Sequence, residues 1–207
     1  MSSSGLNRKL VEGDFHANPF EQFKRWMKEV VASGVAQPEV MTLATATPDG
    51  LPAARQVLLR GIDPRGFVFF TNYQSRKGKE LEANPRAALL FYWDQLEWQI
   101  RIEGLVEKLT PPESDAYFQT RPRGSRLSAW ASPQSEIIAN REILERRYEQ
   151  LEKRYPSDEV PRPPYWGGFR VLPSSFEFWQ HGHHRLHDRL RYALEGDGSW
   201  RLERLAP

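Results

Sequence analysis

Val40-Met41-Thr42-Leu43-Ala44-Thr45-Ala46-Thr47-Pro48-Asp49-Gly50, continued by Leu51 to Arg60, decides the fold class. The first seven residues are apolar and β-branched enough to form a strand. Thr47-Pro48-Asp49-Gly50 then makes a turn, because proline presets φ and glycine accepts a positive one. Leu51 to Arg60 therefore returns as the second arm of an antiparallel hairpin. Side chains alternate along it: Arg55, Val57 and Leu59 share one face, and Gln56, Leu58 and Arg60 the other.

The same pattern recurs outward from this hairpin. Gly61-Ile62-Asp63-Pro64-Arg65-Gly66 reads as a turn and Phe67 to Thr71 as a buried third strand. Arg86 to Trp93 and Glu97 to Leu109 pair around Asp94-Gln95-Leu96, with Gly104 marking a bulge. Gly168 to Leu172 and Ser175 to Gln180 read as two strands. Arg185 to Leu194 and Ser199 to Leu205 close the chain as a hairpin around Glu195-Gly196-Asp197-Gly198.

Helices are added at recognisable starts. Asn18-Pro19-Phe20-Glu21 opens one whose apolar face is Phe20, Phe23, Trp26, Met27, Val30 and Val31, with a stop at Gly34. Ser75 caps a short helix ending before Pro85. Thr110-Pro111-Pro112-Glu113 is a capping box. Ser132-Pro133-Gln134-Ser135 is expected to start a long charged helix to about Tyr155. Short antiparallel hairpins with a few helices predict an α+β protein: a Greek-key-like β-barrel with flanking helices, not a βαβ sheet. Residues 1–17 read as a mobile arm and residues 18–207 as one domain; Pro156 to Pro164 is a connector within it.

Composition excludes several classes. The chain has 207 residues and a net charge of +2, from 29 basic and 27 acidic residues. That balance speaks against a general nucleic-acid binder. Without cysteine there is no disulfide, thiol nucleophile or Cys-based metal site, which suits a reducing cytoplasm. No signal peptide is expected, and the longest apolar run, Ala87 to Trp93, is far too short to span a bilayer.

Two stretches point to a ligand. Arg76 and Lys77 fall in the first turn of the helix capped by Ser75, where the helix dipole is already positive. An anion there would reverse the unfavourable sign and meet free backbone N–H groups, so this reads as a phosphate site. The second stretch, Glu177 to Arg189, holds four of the five histidines. Read as a strand from Arg185, it puts Arg185, His187, Arg189 and Arg191 on one face beside an aromatic wall of Phe176, Phe178 and Trp179. That suits an anionic, aromatic ligand; the plain alternative is a solvated edge strand. The histidines match no recognised zinc spacing, so no metal is expected. Arg121-Pro122-Arg123-Gly124, with Ser125 and Arg126, reads as a polar, basic loop.

These residues resemble a known family. Arg55-x-Val57-Leu58-Leu59-Arg60, Phe70-Thr71-Asn72 with Ser75-Arg76-Lys77, Arg121-Pro122-Arg123, Gln134-Ser135, Pro164-x-Trp166-Gly167-Gly168-Phe169-Arg170, Phe178-Trp179-Gln180, Arg185-Leu186-His187-Asp188-Arg189 and Arg204-Leu205-Ala206-Pro207 resemble the pyridoxine/pyridoxamine 5'-phosphate oxidases. The likeness runs in order from about residue 18 to the C-terminus. It implies a homodimer of split β-barrels with FMN at the subunit interface. It also implies oxidation of pyridoxine or pyridoxamine 5'-phosphate to pyridoxal 5'-phosphate, with O2 as acceptor. The FMN positions it implies are Arg55, Gln56, Val57, Leu58, Leu59, Arg60, Phe70, Thr71, Arg76, Lys77, Gln99, Gln134, Ser135, Trp179 and Arg189. The implied substrate positions are Arg60, Tyr117, Arg121, Ser125, Arg185, Leu186 and His187, with Arg185 and His187 at the reacting ring. Tyr117, Arg121 and Ser125 would hold the substrate phosphate.

The chain departs from the family pattern at Arg60, where lysine is usual, and at Gln37, where an acid is common. His181, His183 and His184 have no implied role. Three other functions fit parts of the pattern. An FMN-dependent oxidase of another substrate would share most of these residues. A non-catalytic flavin- or haem-binding split barrel would keep Arg55 and Arg76-Lys77 but need no Arg185-x-His187 pair. An oligonucleotide-binding barrel would use the aromatics, but the near-neutral charge weakens it.

Overall fold

The computed structural model describes residues 9–207. Its framework is one nine-stranded antiparallel sheet: β1 (Val40–Ala46), β2 (Pro52–Leu58), β3 (Gly61–Asp63), β4 (Gly66–Asn72), β5 (Arg86–Trp93), β6 (Trp98–Lys108), β7 (Trp166–Gln180), β8 (Asp188–Leu194) and β9 (Trp200–Arg204). The order is β2-β1-β5-β6-β7-β4-β3, and β8 also pairs with β7 and carries β9. The first hairpin forms as its turn requires, with Ala46 opposite Pro52 and Val40 opposite Leu58.

Strand β7 is where the sheet divides. Its first half, Trp166 to Val171, pairs with β4, and its second half, Ser175 to Gln180, pairs with β8. β6 runs along its other edge from Phe169 to Gln180, with a register shift at Glu103/Gly104 opposite Pro173. The two strands expected here are thus halves of one strand. Pro173 cannot donate to the ladder, and the bulge accommodates it. The curled sheet and its helices form a split barrel.

Five helices flank the sheet: α1 (Pro19–Ala32), α2 (Arg76–Ala83), α3 (Pro111–Thr120), α4 (Arg123–Ala131) and α5 (Glu142–Arg154). Asn18 caps α1 through its side chain, and α1 lays Phe20, Phe23, Trp26 and Val30 on the sheet. Phe23 meets Phe67 and Phe91 edge-on at 4.9 and 5.2 Å, and Trp26 stacks on Trp98 at 4.3 Å. These rings, with Leu43, Leu89, Ile100, Ile102, Phe176 and Phe178, form the main core. The capping box at Thr110 and Glu113 starts α3 as its sequence predicts.

Four local expectations are corrected. Gly61 to Gly66 is not only a turn, because Gly61–Asp63 pairs with β4 as a short strand. Arg123 to Ala131 is helix α4 rather than a loop; the Arg126 amide bonds the Pro122 carbonyl, so the proline begins a helix instead of preventing one. The helix expected from Ser132 begins only at Glu142. Before it, the Gln134 amide bonds Ser132, the Glu136 amide bonds Pro133, and Ser135 sits at φ 72°, a value no helix interior tolerates.

The fourth correction matters most for function. Arg185 and His187 are not on a strand with Arg189 and Arg191. His183–Arg185 is a 3-10 turn with His184 and Arg185 at φ 55° and 64°, and β8 starts at Asp188. The Gly182 amide donates to His187 Nδ1 at 3.1 Å. A Cβ on Gly182 would lie 1.9 Å from the Leu186 carbonyl oxygen, so only glycine lets this loop close.

The N-terminal segment is anchored where it is described. Leu10 is buried, its amide bonds Asp188 Oδ2 at 3.1 Å, and Tyr192 Oη donates to the His16 carbonyl at 2.6 Å. The arm expected over residues 1–17 is thus docked from Leu10 onward, and residues 1–8 lie outside the described part. Among the described residues, no helix is long and apolar enough to cross a membrane, and no three His, Asp or Glu side chains are grouped to hold a metal ion.

Candidate active site

A cleft of about 720 Å³ opens beside the first hairpin. It is lined by Arg55, Gln56, Val57, Leu58 and Arg60 from β2 and its end, by Phe70 and Thr71 from β4, and by Lys77 from α2. Tyr117 and Arg121 line it from α3 and its end, and Gln134 and Ser135 from the loop before α5. Twelve of the residues singled out in the sequence therefore share one cavity. Leu59 packs instead toward the core, and Ser125 lies on α4 without lining the cleft.

The cleft is cationic by construction. Arg55 donates to Glu80, Thr45 and the Leu43 carbonyl. Glu80 is buried beneath it, bonded also by Thr45 and by Arg76 Nε at 2.7 Å. Burial raises the Glu80 pKa, but the bonds from Thr45, Arg76 and Arg55 outweigh it and hold the carboxyl below its usual range. The Arg76 guanidinium is therefore turned onto Glu80, and Lys77 is the member of the pair that lines the cleft. Lys77 Nζ lies 3.3 Å from Thr71 Oγ1 and 3.2 Å from Gln134 Oε1. Burial and the nearby charge of Arg55 lower its pKa.

The other end is aromatic. Phe70 stacks on Tyr117 with ring centres 3.8 Å apart, and Trp166 stacks on Phe70 at 5.4 Å. Gly168 leaves room for Leu109 and Phe70, since a Cβ there would lie 2.4 Å from Leu109 Cδ1 and 2.9 Å from Phe70 Cε1. The Arg121 guanidinium rests over Trp166 at 4.6 Å, with Nη1 buried and unpartnered. Trp166 lines the cleft beside Asn72, Ser128, Ala129 and Ser132, none of which was given a role from sequence. For Trp166 the signal was present, in the Pro164-x-Trp166-Gly167-Gly168 run.

The remaining expected residues gather elsewhere. Gln99, Trp179 and Arg189 face one another across β6, β7 and β8. Trp179 packs on His187 at 4.8 Å, and Arg189 Nε bonds the buried Glu177 at 2.7 Å. Leu186 and His187 border a second cleft of about 730 Å³, together with His181, His183, His184, Arg204 and Pro207. Arg185, between His184 and Leu186 in the chain, lies in the same loop.

Together the fold and the cleft define a split-barrel protein whose main cleft joins a cationic side to a wall of stacked aromatic rings. Residues 27–155 match the family model for pyridoxamine 5'-phosphate oxidase, and residues 166–207 match that for the pyridoxine 5'-phosphate oxidase C-terminal dimerisation region. A pyridoxine/pyridoxamine 5'-phosphate oxidase of Trichormus variabilis is 57% identical over 96% of this chain and 92% of its own length. One from Rubrobacter xylanophilus is 56% identical over 99% and 96%. The crystal structure of PhzG from Burkholderia lata, in complex with tetrahydrophenazine-1-carboxylic acid, superposes with a TM-score of 0.91 at 34% identity, covering 99% of this chain and all of that one. The chain belongs to the pyridoxamine 5'-phosphate oxidase family and is an oxidoreductase.

Proposed function

We propose that the protein is an FMN-dependent oxidase that converts pyridoxine 5'-phosphate and pyridoxamine 5'-phosphate to pyridoxal 5'-phosphate. The observation that carries this reading is the Arg121 guanidinium, stacked on Trp166 with an unpartnered buried nitrogen in a cationic cleft. A buried donor of this kind is costly unless an anion completes it, and a planar fork suits a phosphate.

The residues also fit FMN. Lys77 and Arg55 are half-buried cations on one side of the cleft, and the β2 segment Gln56 to Leu58 gives a backbone edge for a flat ring. Bound FMN would supply the redox chemistry, accepting a hydride from C4' of the substrate and passing the electrons to O2 with release of hydrogen peroxide; for the amine substrate, water would then hydrolyse the resulting imine and release ammonia. The protein's task is to position and to settle charge. Tyr117 and Arg121 grip the substrate phosphate from the cleft wall, and Arg185 and His187 fix the pyridine ring. His187 accepts a hydrogen bond at Nδ1, so the neutral ring carries its proton on Nε2 and presents a donor there.

In this reading the two clefts are two parts of one site. The protein is a homodimer through its C-terminal dimerisation region, with FMN at the interface and the Gln99, Trp179, Arg189, Arg185, Leu186 and His187 group supplied by the partner subunit. The reaction takes place in the cytoplasm.

PhzG's likeness favours a second reading, an oxidase of a different flat anion on the same scaffold. One experiment separates the two. The FMN-loaded protein is made anaerobic, and pyridoxine 5'-phosphate is added while the flavin's visible absorption is followed. Bleaching, with colour and pyridoxal 5'-phosphate appearing on admitting air, is the expected result. A bound flavin that bleaches with neither the alcohol nor the amine substrate would refute the proposal.

A further inference from the structure

We propose that Arg126, buried behind the cleft wall, determines the site's selectivity for a phosphate dianion over its uncharged counterpart. This inference rests on the proposed function. Arg126 lies on α4 and is 8% exposed. Its Nη1 donates to Gln119 Oε1 at 2.7 Å, and Gln119 donates in turn to the Val160 carbonyl at 3.2 Å. Its Nε has no partner. Among the described residues two buried side-chain polar atoms lack a hydrogen-bond partner, and they are Arg126 Nε and Arg121 Nη1.

Both belong to one charge cluster. Burial, then the charges of Arg60 and Arg126, lower the Arg121 pKa against an opposing pull from Tyr117. The contrast with Arg170, as deeply buried, is direct: that guanidinium is ringed by Asp63, Glu107 and Glu113. Arg121 and Arg126 have no such acid among the described residues. Buried like charges left uncompensated oppose folding, so their retention points to a counter-charge arriving with the ligand. Arg121 lines the cleft and can touch that ligand. Arg126 does not line it, and acts through its field.

A field acts in proportion to ligand charge. A phosphate monoester carries close to two negative charges at neutral pH, and its dephosphorylated counterpart brings none to that end of the site. Arg126 therefore strengthens binding of the phosphorylated ring and leaves the bare ring unaffected. A purely structural role would weaken both.

The test uses FMN-loaded protein and two ligands, pyridoxal 5'-phosphate and pyridoxal, with dissociation constants read from the flavin spectrum at low and high salt. In Arg126→Gln the preference for the phosphorylated ligand is expected to fall about tenfold at low salt, less at high salt, with the pyridoxal constant unchanged. Arg126→Lys, which keeps the charge, is expected to retain most of the preference. An unchanged preference in Arg126→Gln, or equal weakening of both ligands, overturns the inference alone. A native protein without preference for the phosphate overturns the functional reading and this inference with it. Arg126→Met makes the same comparison if the glutamine variant does not fold.

Discussion

Arg170→Ala is expected to destabilise the protein by about 3 kcal/mol, a fall of roughly 10 °C in thermal midpoint. Arg170 is 3% exposed and bonds Asp63 at 2.7 Å, Glu107 at 2.8 Å and Glu113 at 3.0 Å. Those acids come from the β3–β4 hairpin, from β6 and from α3, so one guanidinium ties three elements to β7. Removing it leaves three carboxylates close together with only the exposed Arg65, 3.3 to 3.8 Å from each, to offset their repulsion. They are 34 to 42% exposed, so water relieves part of the repulsion, which sets the effect at the lower end for a broken buried network. Arg170→Lys keeps the charge but has no fork to reach three partners, and is expected to fall between the two.

The same change has a pH signature. The Glu113 pKa is held down to about 2 by the Thr110 hydroxyl, then by the Thr110 amide and by Arg170. A carboxyl with a depressed folded pKa stabilises fully above its unfolded value, near 4.5, and loses that contribution as pH falls toward 2. Arg170→Ala removes the arginine's share and leaves that of Thr110. The gap between native and variant midpoints is therefore expected to be wide at pH 7 and to narrow below pH 4.5. Thermal melts at pH 7 and pH 3.5 measure it; an equal gap at both would show that the carboxylates are not the source. Because Glu113 opens α3, which leads to Tyr117 and Arg121, the variant should also bind the phosphorylated substrate less tightly.

What the sequence revealed depended on the range of the deciding interaction. The hairpins, the Asn18 and Ser75 caps and the Thr110 capping box are settled within a few residues, and the structure has them where local chemistry puts them. The residues of the main cleft were legible because their motifs are compact. Three things were not. Ser135 takes a positive φ inside a stretch that reads as helix, because short turns compete there. Arg185 and His187 left the expected strand because a Gly182–His187 contact closes a loop that alternation cannot foresee. The Arg76 guanidinium turns to Glu80, four residues on, so a pair of cations that reads as one phosphate clamp is divided between an ion pair and the cleft. In each case a contact outside the pattern overrode the pattern.

Two proteins that are each nearly inactive, Arg121→Ala and His187→Ala, are expected to regain activity when their subunits are mixed. Arg121 lines the first cleft and His187 the second, on opposite halves of β7's pairing. If each working site takes its phosphate grip from one subunit and its ring contacts from the other, a mixed dimer holds one complete site and one lacking both residues. Random exchange makes about half of the dimers mixed, so the population should recover about a quarter of native turnover. Mixed dimers isolated through two different tags should reach about half. His187→Ala and Arg185→Ala alone should keep FMN bound while losing turnover, which separates a missing ring contact from a missing cofactor. A site contained within a single subunit makes the opposite demand. Each variant subunit would then carry its own defect into every pairing, and mixing would restore nothing.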